Sequence, residues 1–128
     1  MRVLLDTHTF LWFVLNDPQL SGAAKARIED PDADVLVSPA SYWEIAIKVA
    51  LKKLDLFAPY ADFMARGIAG NDFDILPIEP RHCDRLVTLP FHHKDPFDRI
   101  LAAQALAEDV EIVSNDVLLD AYGVRRVW

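Results

Sequence analysis

The sequence is poor in cysteine, in positive charge and in long apolar runs, and each shortage excludes something. One cysteine, Cys83, in 128 residues cannot close an internal disulfide. Small secreted folds held by bridges are therefore excluded, Cys83 is expected to be inert, and a reducing cytoplasm is the expected compartment. No stretch approaches the roughly 20 apolar residues that span a bilayer. The opening Met1-Arg2-Val3-Leu4-Leu5 is cut by Asp6, which suits neither a signal peptide nor an anchor, so no membrane partner is expected. Lys and Arg number 13 against 20 Asp and Glu, a net charge of −7 that disfavours indiscriminate adhesion to phosphate backbones and fits a basic protein partner. Repeats and low-complexity tracts are also lacking. What remains is a soluble single domain, residues 1–128, long enough to bury a core without bridges or structural zinc.

The chain alternates short apolar runs with amphipathic ones. Strands are expected at Arg2 to Leu5, at Val35 to Val37, at Phe73 to Ile78 with Pro77 marking an edge or an end, at Glu111 to Ser114 and at Val124 to Trp128. Between them helices are expected through Phe10 to Leu15, from Ser21 to Ile28, after Pro39, from Pro59 to about Ile68, from Pro80 to Leu89, after Pro96, and briefly over Leu118 to Tyr122. Short links and this alternation predict a three-layer α/β/α sandwich on a central, mainly parallel sheet.

The acids are placed unevenly along that frame. Asp95-Pro96-Phe97-Asp98-Arg99 heads the best-defined helix, where Pro96 suits the first position, Asp95 the N-cap and Asp98 the first turn. Asp6 and Asp116 each follow a strand, and Glu44 lies early in the helix after Pro39. Local readings compete for all of them: Asp6 or Thr7 can cap a helix, Ser41-x-x-Glu44 is a capping-box pattern, and Lys48 can pair with Glu44 four residues before it. In a parallel sheet, however, strand ends and the starts of following helices share one edge, which is where ligands bind. Asp6, Glu44, Asp98 and Asp116 would then converge, with Asp95 beside them. Two carboxylates about 4 Å apart repel by roughly 4 kcal/mol at an effective dielectric near 20, so such a group needs a counter-charge. Hard oxygen ligands point to Mg²⁺, with Mn²⁺ as a substitute. The adjacent His92 and His93 form a polar rim; no companion ligands at the right spacing support zinc there.

Asp6-Thr7 after a strand, Ser38 and Glu44 around the next helix, Asp95-Pro96-Phe97-Asp98-Arg99 leading into Leu101-Ala102-Ala103-Gln104-Ala105, and Val113-Ser114-Asn115-Asp116 resemble the successive motifs of PIN-domain ribonucleases, in length and order most like the VapC-type toxins. The resemblance spans nearly the whole chain. It implies a PIN-like fold and a magnesium-dependent endoribonuclease that cleaves RNA phosphodiester bonds with metal-activated water. The family's acidic quartet, catalytic and metal-binding, falls on Asp6, Glu44, Asp98 and Asp116. Asp95 is auxiliary, first as a cap. Thr7 and Ser114 match small hydroxyl positions that orient an acid or a water, and Arg99 matches either an ion-pair partner or a phosphate contact. The family also implies a cognate VapB-type antitoxin that covers the site, and a homodimer that can double in the complex. Arg81, Arg85, Lys94 and Lys52 are candidate contacts to the RNA backbone, while Trp12, Trp43, Tyr60 and Phe63 serve either partners or the core. Two rivals stay open on the residues alone: a catalytically silent PIN-like interaction module and an aspartyl-phosphate enzyme. The latter would want a second acid two residues after Asp6, where His8 stands.

Overall fold

A computed structural model describes residues 1–128. The β-branched and leucine runs form β1 (Arg2–Leu5), β2 (Asp34–Val37), β3 (Asp74–Ile75), β4 (Glu111–Val113) and β5 (Arg126–Val127). Six helices separate them: α1 (Thr7–Val14), α2 (Gly22–Glu29), α3 (Pro39–Ala50), α4 (Tyr60–Gly67), α5 (Pro80–Val87) and α6 (Pro96–Glu108). The five strands form one sheet in the order β3-β2-β1-β4-β5, and every neighbouring pair is parallel. The expected mainly parallel sheet is thus parallel throughout.

Alternation along β1 divides the core in two. Val3 and Leu5 point to one face, where they meet Phe10 and Leu11 of α1, Ala24 and Ile28 of α2, Ile45 of α3 and Phe63 and Met64 of α4. Leu4 points to the other face, against Leu101, Ala102, Ala103 and Ala105 of α6 and Leu119 and Tyr122 beyond β4. Strands buried on both faces read as continuous apolar runs, as they do here, and the result is the three-layer sandwich. Phe63, which could have served a partner, lies fully in the core, whereas Trp43 is 62% exposed.

Several expected elements shrink. The strand over Phe73 to Ile78 is reduced to Asp74–Ile75 at the sheet edge because Pro77 has no N–H to continue the ladder. The expected short helix after β4 is a 3-10 segment, Val117–Tyr122, ended by Gly123 at φ 81°. The helix after β2 begins at Pro39, with the Ser38 hydroxyl accepting from the Ala40 N–H at 3.1 Å. Ser41 therefore lies inside α3 and no capping box with Glu44 forms, which frees Glu44 for other work.

Gly67 shows how closely α4 sits on α1. A Cβ there would come within 2.9 Å of Phe10 Cζ and 3.1 Å of Val14 Cγ2. Gly67→Ala should therefore lower stability by about 1–2 kcal/mol from overpacking, although alanine alone would gain about 1 kcal/mol in helix propensity. Urea denaturation checks this, and a gain in stability would contradict the close packing.

Candidate active site

The register of the three central strands sets the site. Leu5 pairs with Val37 on one side and Val113 on the other, so Asp6, Ser38 and Ser114 leave the sheet at the same level. The order reverses between β1 and β4, and this is the crevice in which parallel sheets bind ligands.

Asp6 is buried there. Its Oδ1 accepts from the Thr9 N–H at 2.8 Å, so it does cap α1, while its Oδ2 accepts a short hydrogen bond from the Ser114 hydroxyl. Ser114 Oγ in turn accepts from the Asp116 N–H at 3.0 Å, so a single hydroxyl ties the two acids together. Asp116 accepts from Leu118 N–H on Oδ1 at 3.0 Å, and its Oδ2 lies 2.7 Å from His93 Nε2. Asp98 comes from the first turn of α6. One carboxylate oxygen each of Asp98 and Asp116 and one ring nitrogen of His93 lie within 4.8 Å of one another.

Glu44 approaches from α3, paired with Lys48 Nζ at 3.0 Å. Asp95 caps α6 through Phe97 N–H at 2.8 Å. The structure thus brings the expected quartet to one edge: Asp98 and Asp116 face each other, Glu44 is near enough to perturb Asp98, and Asp6 joins through Ser114.

Two auxiliary residues sit differently from expectation. Thr7 donates to Ser41 Oγ at 3.1 Å, fastening α1 to α3 and touching no acid. Arg99 is 5% exposed, forms no ion pair, and spends its guanidinium on the carbonyls of Pro90, Leu89 and Leu86 at 2.8, 3.3 and 3.4 Å, with Phe91 stacked 4.0 Å away. It shapes the loop that carries His93. Arg81 is committed to Glu79 and Glu108. Glu108 also binds Arg2 at the amino end of β1, so Arg81 lies at the far edge of the sheet. His93 itself was legible only as part of a polar rim; its place beside Asp116 depends on the fold of the loop.

Charge is not balanced at this edge. Burial, then the charges of Asp95, Glu44 and Asp116, push the Asp98 carboxyl up to about 6, and only His93 works against them. Asp98 accepts no hydrogen bond, so its carboxylate lacks both a donor and a counter-ion. A divalent cation bound there would supply what is missing, and the oxygen-rich donor set fits one.

The family model for the PIN domain matches residues 3–124. The chain belongs to the PIN domain family. Over 98% of its length this PIN domain is 28% identical to Ribonuclease VapC22 of Mycobacterium tuberculosis, and the match covers 98% of that protein. Its fold is similar to that of VapBC2 from Rickettsia felis bound to a promoter DNA fragment, with a TM-score of 0.72, 12% identity and 98% and 97% of the two chains covered. It is also similar to VapBC-1 from nontypeable Haemophilus influenzae, with a TM-score of 0.68, 16% identity and 98% and 96% covered. No helix of this PIN domain is long and apolar enough to cross a membrane.

The Asp98 environment has a pH signature. Its folded pKa lies above the ordinary 3.8, so its proton stabilises the fold below that value, and this stability is lost as pH rises through about 6. Without metal, Asp98→Asn should exceed the wild type in stability at neutral pH by on the order of 1 kcal/mol, after allowance for screening of a half-exposed group. The difference should shrink as pH falls from about 6 towards 3.8, the range in which Asp98 is protonated in the folded state and ionised in the unfolded one. Denaturation in EDTA across this range is the measurement.

Proposed function

We propose that this chain is a VapC-type endoribonuclease toxin, a single PIN-like domain acting in the cytoplasm and neutralised by a cognate VapB-type antitoxin. The observation that carries the reading is the meeting of an uncompensated Asp98 with Asp116 at the edge of the sheet where its order reverses, with Glu44 and Asp6 brought to the same edge. Membership of the PIN domain family and the likeness to a named ribonuclease support the same activity.

Asp98 and Asp116 would hold Mg²⁺, or Mn²⁺ in its place, with Asp6 and Glu44 completing the set. A cation held by these residues would supply the Lewis acidity that activates water and offsets charge developing on the phosphodiester. The chain's own groups do the rest. Ser114 keeps Asp6 Oδ2 and the Asp116 backbone in fixed relation, and Lys48 limits the charge on Glu44. No side-chain nucleophile is needed for in-line attack by water, which leaves a 5′-phosphate and a 3′-hydroxyl.

An approach for RNA adjoins the acids. A groove of about 460 Å³ is lined by Lys48, Lys53 and Lys94 next to Glu44, Asp95 and Phe97, a local concentration of positive charge on an acidic protein. Trp43 stands exposed at its flank, edge-on to Phe97 with ring centroids 5.3 Å apart, and offers an aromatic face to a single-stranded base. The sequence pI of about 4.9 suits a basic antitoxin segment laid over the same edge, and a homodimer is the proposed form of the toxin.

Brief expression of wild type and Asp6→Asn, followed by sequencing of RNA ends, tests the activity. New ends are expected with the wild type alone, and equal cleavage by both would remove Asp6 from the reaction. Lys53→Ala combined with Lys94→Ala should raise KM several-fold and flatten its salt dependence with little change in kcat. An unchanged KM would place the RNA elsewhere.

A further inference from the structure

Asp116 differs from Asp98 in being held on both oxygens, and one of its two holders is a histidine whose other nitrogen is also occupied. His93 Nδ1 lies 3.1 Å from the Tyr122 hydroxyl, and that same oxygen accepts the His93 backbone N–H at 2.9 Å. A tyrosine hydroxyl has a single proton to give. With its oxygen accepting from the backbone, the hydroxyl keeps that proton free to give to Nδ1. The Asp116 carboxylate can only accept, so Nε2 carries a hydrogen and donates it to Asp116 Oδ2 at 2.7 Å, and whenever the ring is neutral Nδ1 accepts from the Tyr122 hydroxyl.

The packing fixes this arrangement. Tyr122 is buried, stacks on His93 with ring centroids 5.4 Å apart and 22° between planes, and meets His92 edge-on at 4.9 Å on centroids. The preceding loop is fastened by Arg99 to the carbonyls of Leu86, Leu89 and Pro90. His93 thus has no freedom to rotate, and neither ring nitrogen offers a free lone pair to a cation.

We infer that His93, held in its Nε2–H tautomer by Tyr122, is a positioning residue that aims the Asp116 carboxylate at the cation. This rests on the nuclease reading above and adds to it a residue outside the acidic quartet. Leu118 N–H holds Oδ1 and His93 holds Oδ2, so each oxygen keeps one further lone pair. The carboxylate cannot swing away from Asp98, and its orientation is set before any cation arrives. Partners of this kind that hold a ligating group typically change metal affinity by about 10–100-fold when removed.

The test is Mn²⁺ binding by calorimetry on the full chain, with wild type, His93→Ala, His93→Gln and Tyr122→Phe compared, and with folding checked by circular dichroism. His93→Ala should weaken Mn²⁺ by about 10–100-fold. His93→Gln, whose amide N–H can stand where Nε2–H stands, should recover most of that loss, and Tyr122→Phe should fall between. Long-range ¹H–¹⁵N spectra of the wild type in mildly alkaline buffer should show Nε2 protonated and Nδ1 bare. Pulsed electron paramagnetic resonance of the Mn²⁺-loaded wild type should show no directly bound histidine nitrogen. A directly bound nitrogen would overturn the inference in favour of His93 as a ligand. Equal weakening by Ala and Gln would reduce His93 to a packing role and also overturn it. Full affinity in all three variants would sink the inference and leave the nuclease reading standing, whereas a wild type that binds no Mn²⁺ would sink both.

Discussion

The parallel register of β1 between β2 and β4 is the constraint on which the site depends. Because Leu5, Val37 and Val113 are partners across the sheet, the residues that follow them emerge together at one edge. Backbone hydrogen bonding therefore does the first part of the assembly, bringing Asp6 against Ser114 without any long side chain having to reach. A slip of one residue in either pairing would turn the apolar side chains of that strand to the wrong layer, so the two-faced core that fixes the register also fixes the site.

Electrostatics at that edge work against folding in one place and are contained in the others. Asp6 is compensated by a helix N-terminus and a hydroxyl, Glu44 by Lys48, Asp95 by a backbone N–H and Asp116 by His93 and a second backbone N–H. Asp98 has none of these, and burial, followed by the charges of its acidic neighbours, raises its pKa. Concentrating the deficit on one carboxylate leaves that group with the most to gain from a cation, while the others are held in place to join it.

Much of this was legible in the sequence. Strand ends marked by Asp6 and Asp116, and the Asp95-Pro96 start of a helix, are local signals, and each lies where the alternation of elements puts it. The capping-box pattern at Ser41 and Glu44 misled because Pro39 and Ser38 start the helix earlier, and a cap is claimed by the first suitable residue after the strand. Arg99 and His93 were less readable for one shared reason. Their partners, the carbonyls of Leu86, Leu89 and Pro90 and the side chains of Tyr122 and Asp116, come from the end of α5, the turn after it and the 3-10 segment after β4, and these meet through a loop without periodicity, so no spacing rule foretells them.

Both rims of the sheet are brief. β3 and β5 are two residues each, and Pro77 follows the former almost at once. An open sheet whose outer strands offer so few free amides gives a neighbouring chain little ladder to extend, which guards against fibrous stacking. Strand addition is accordingly a poor route to a larger assembly of this protein, and its helical flanks are the better suited surfaces.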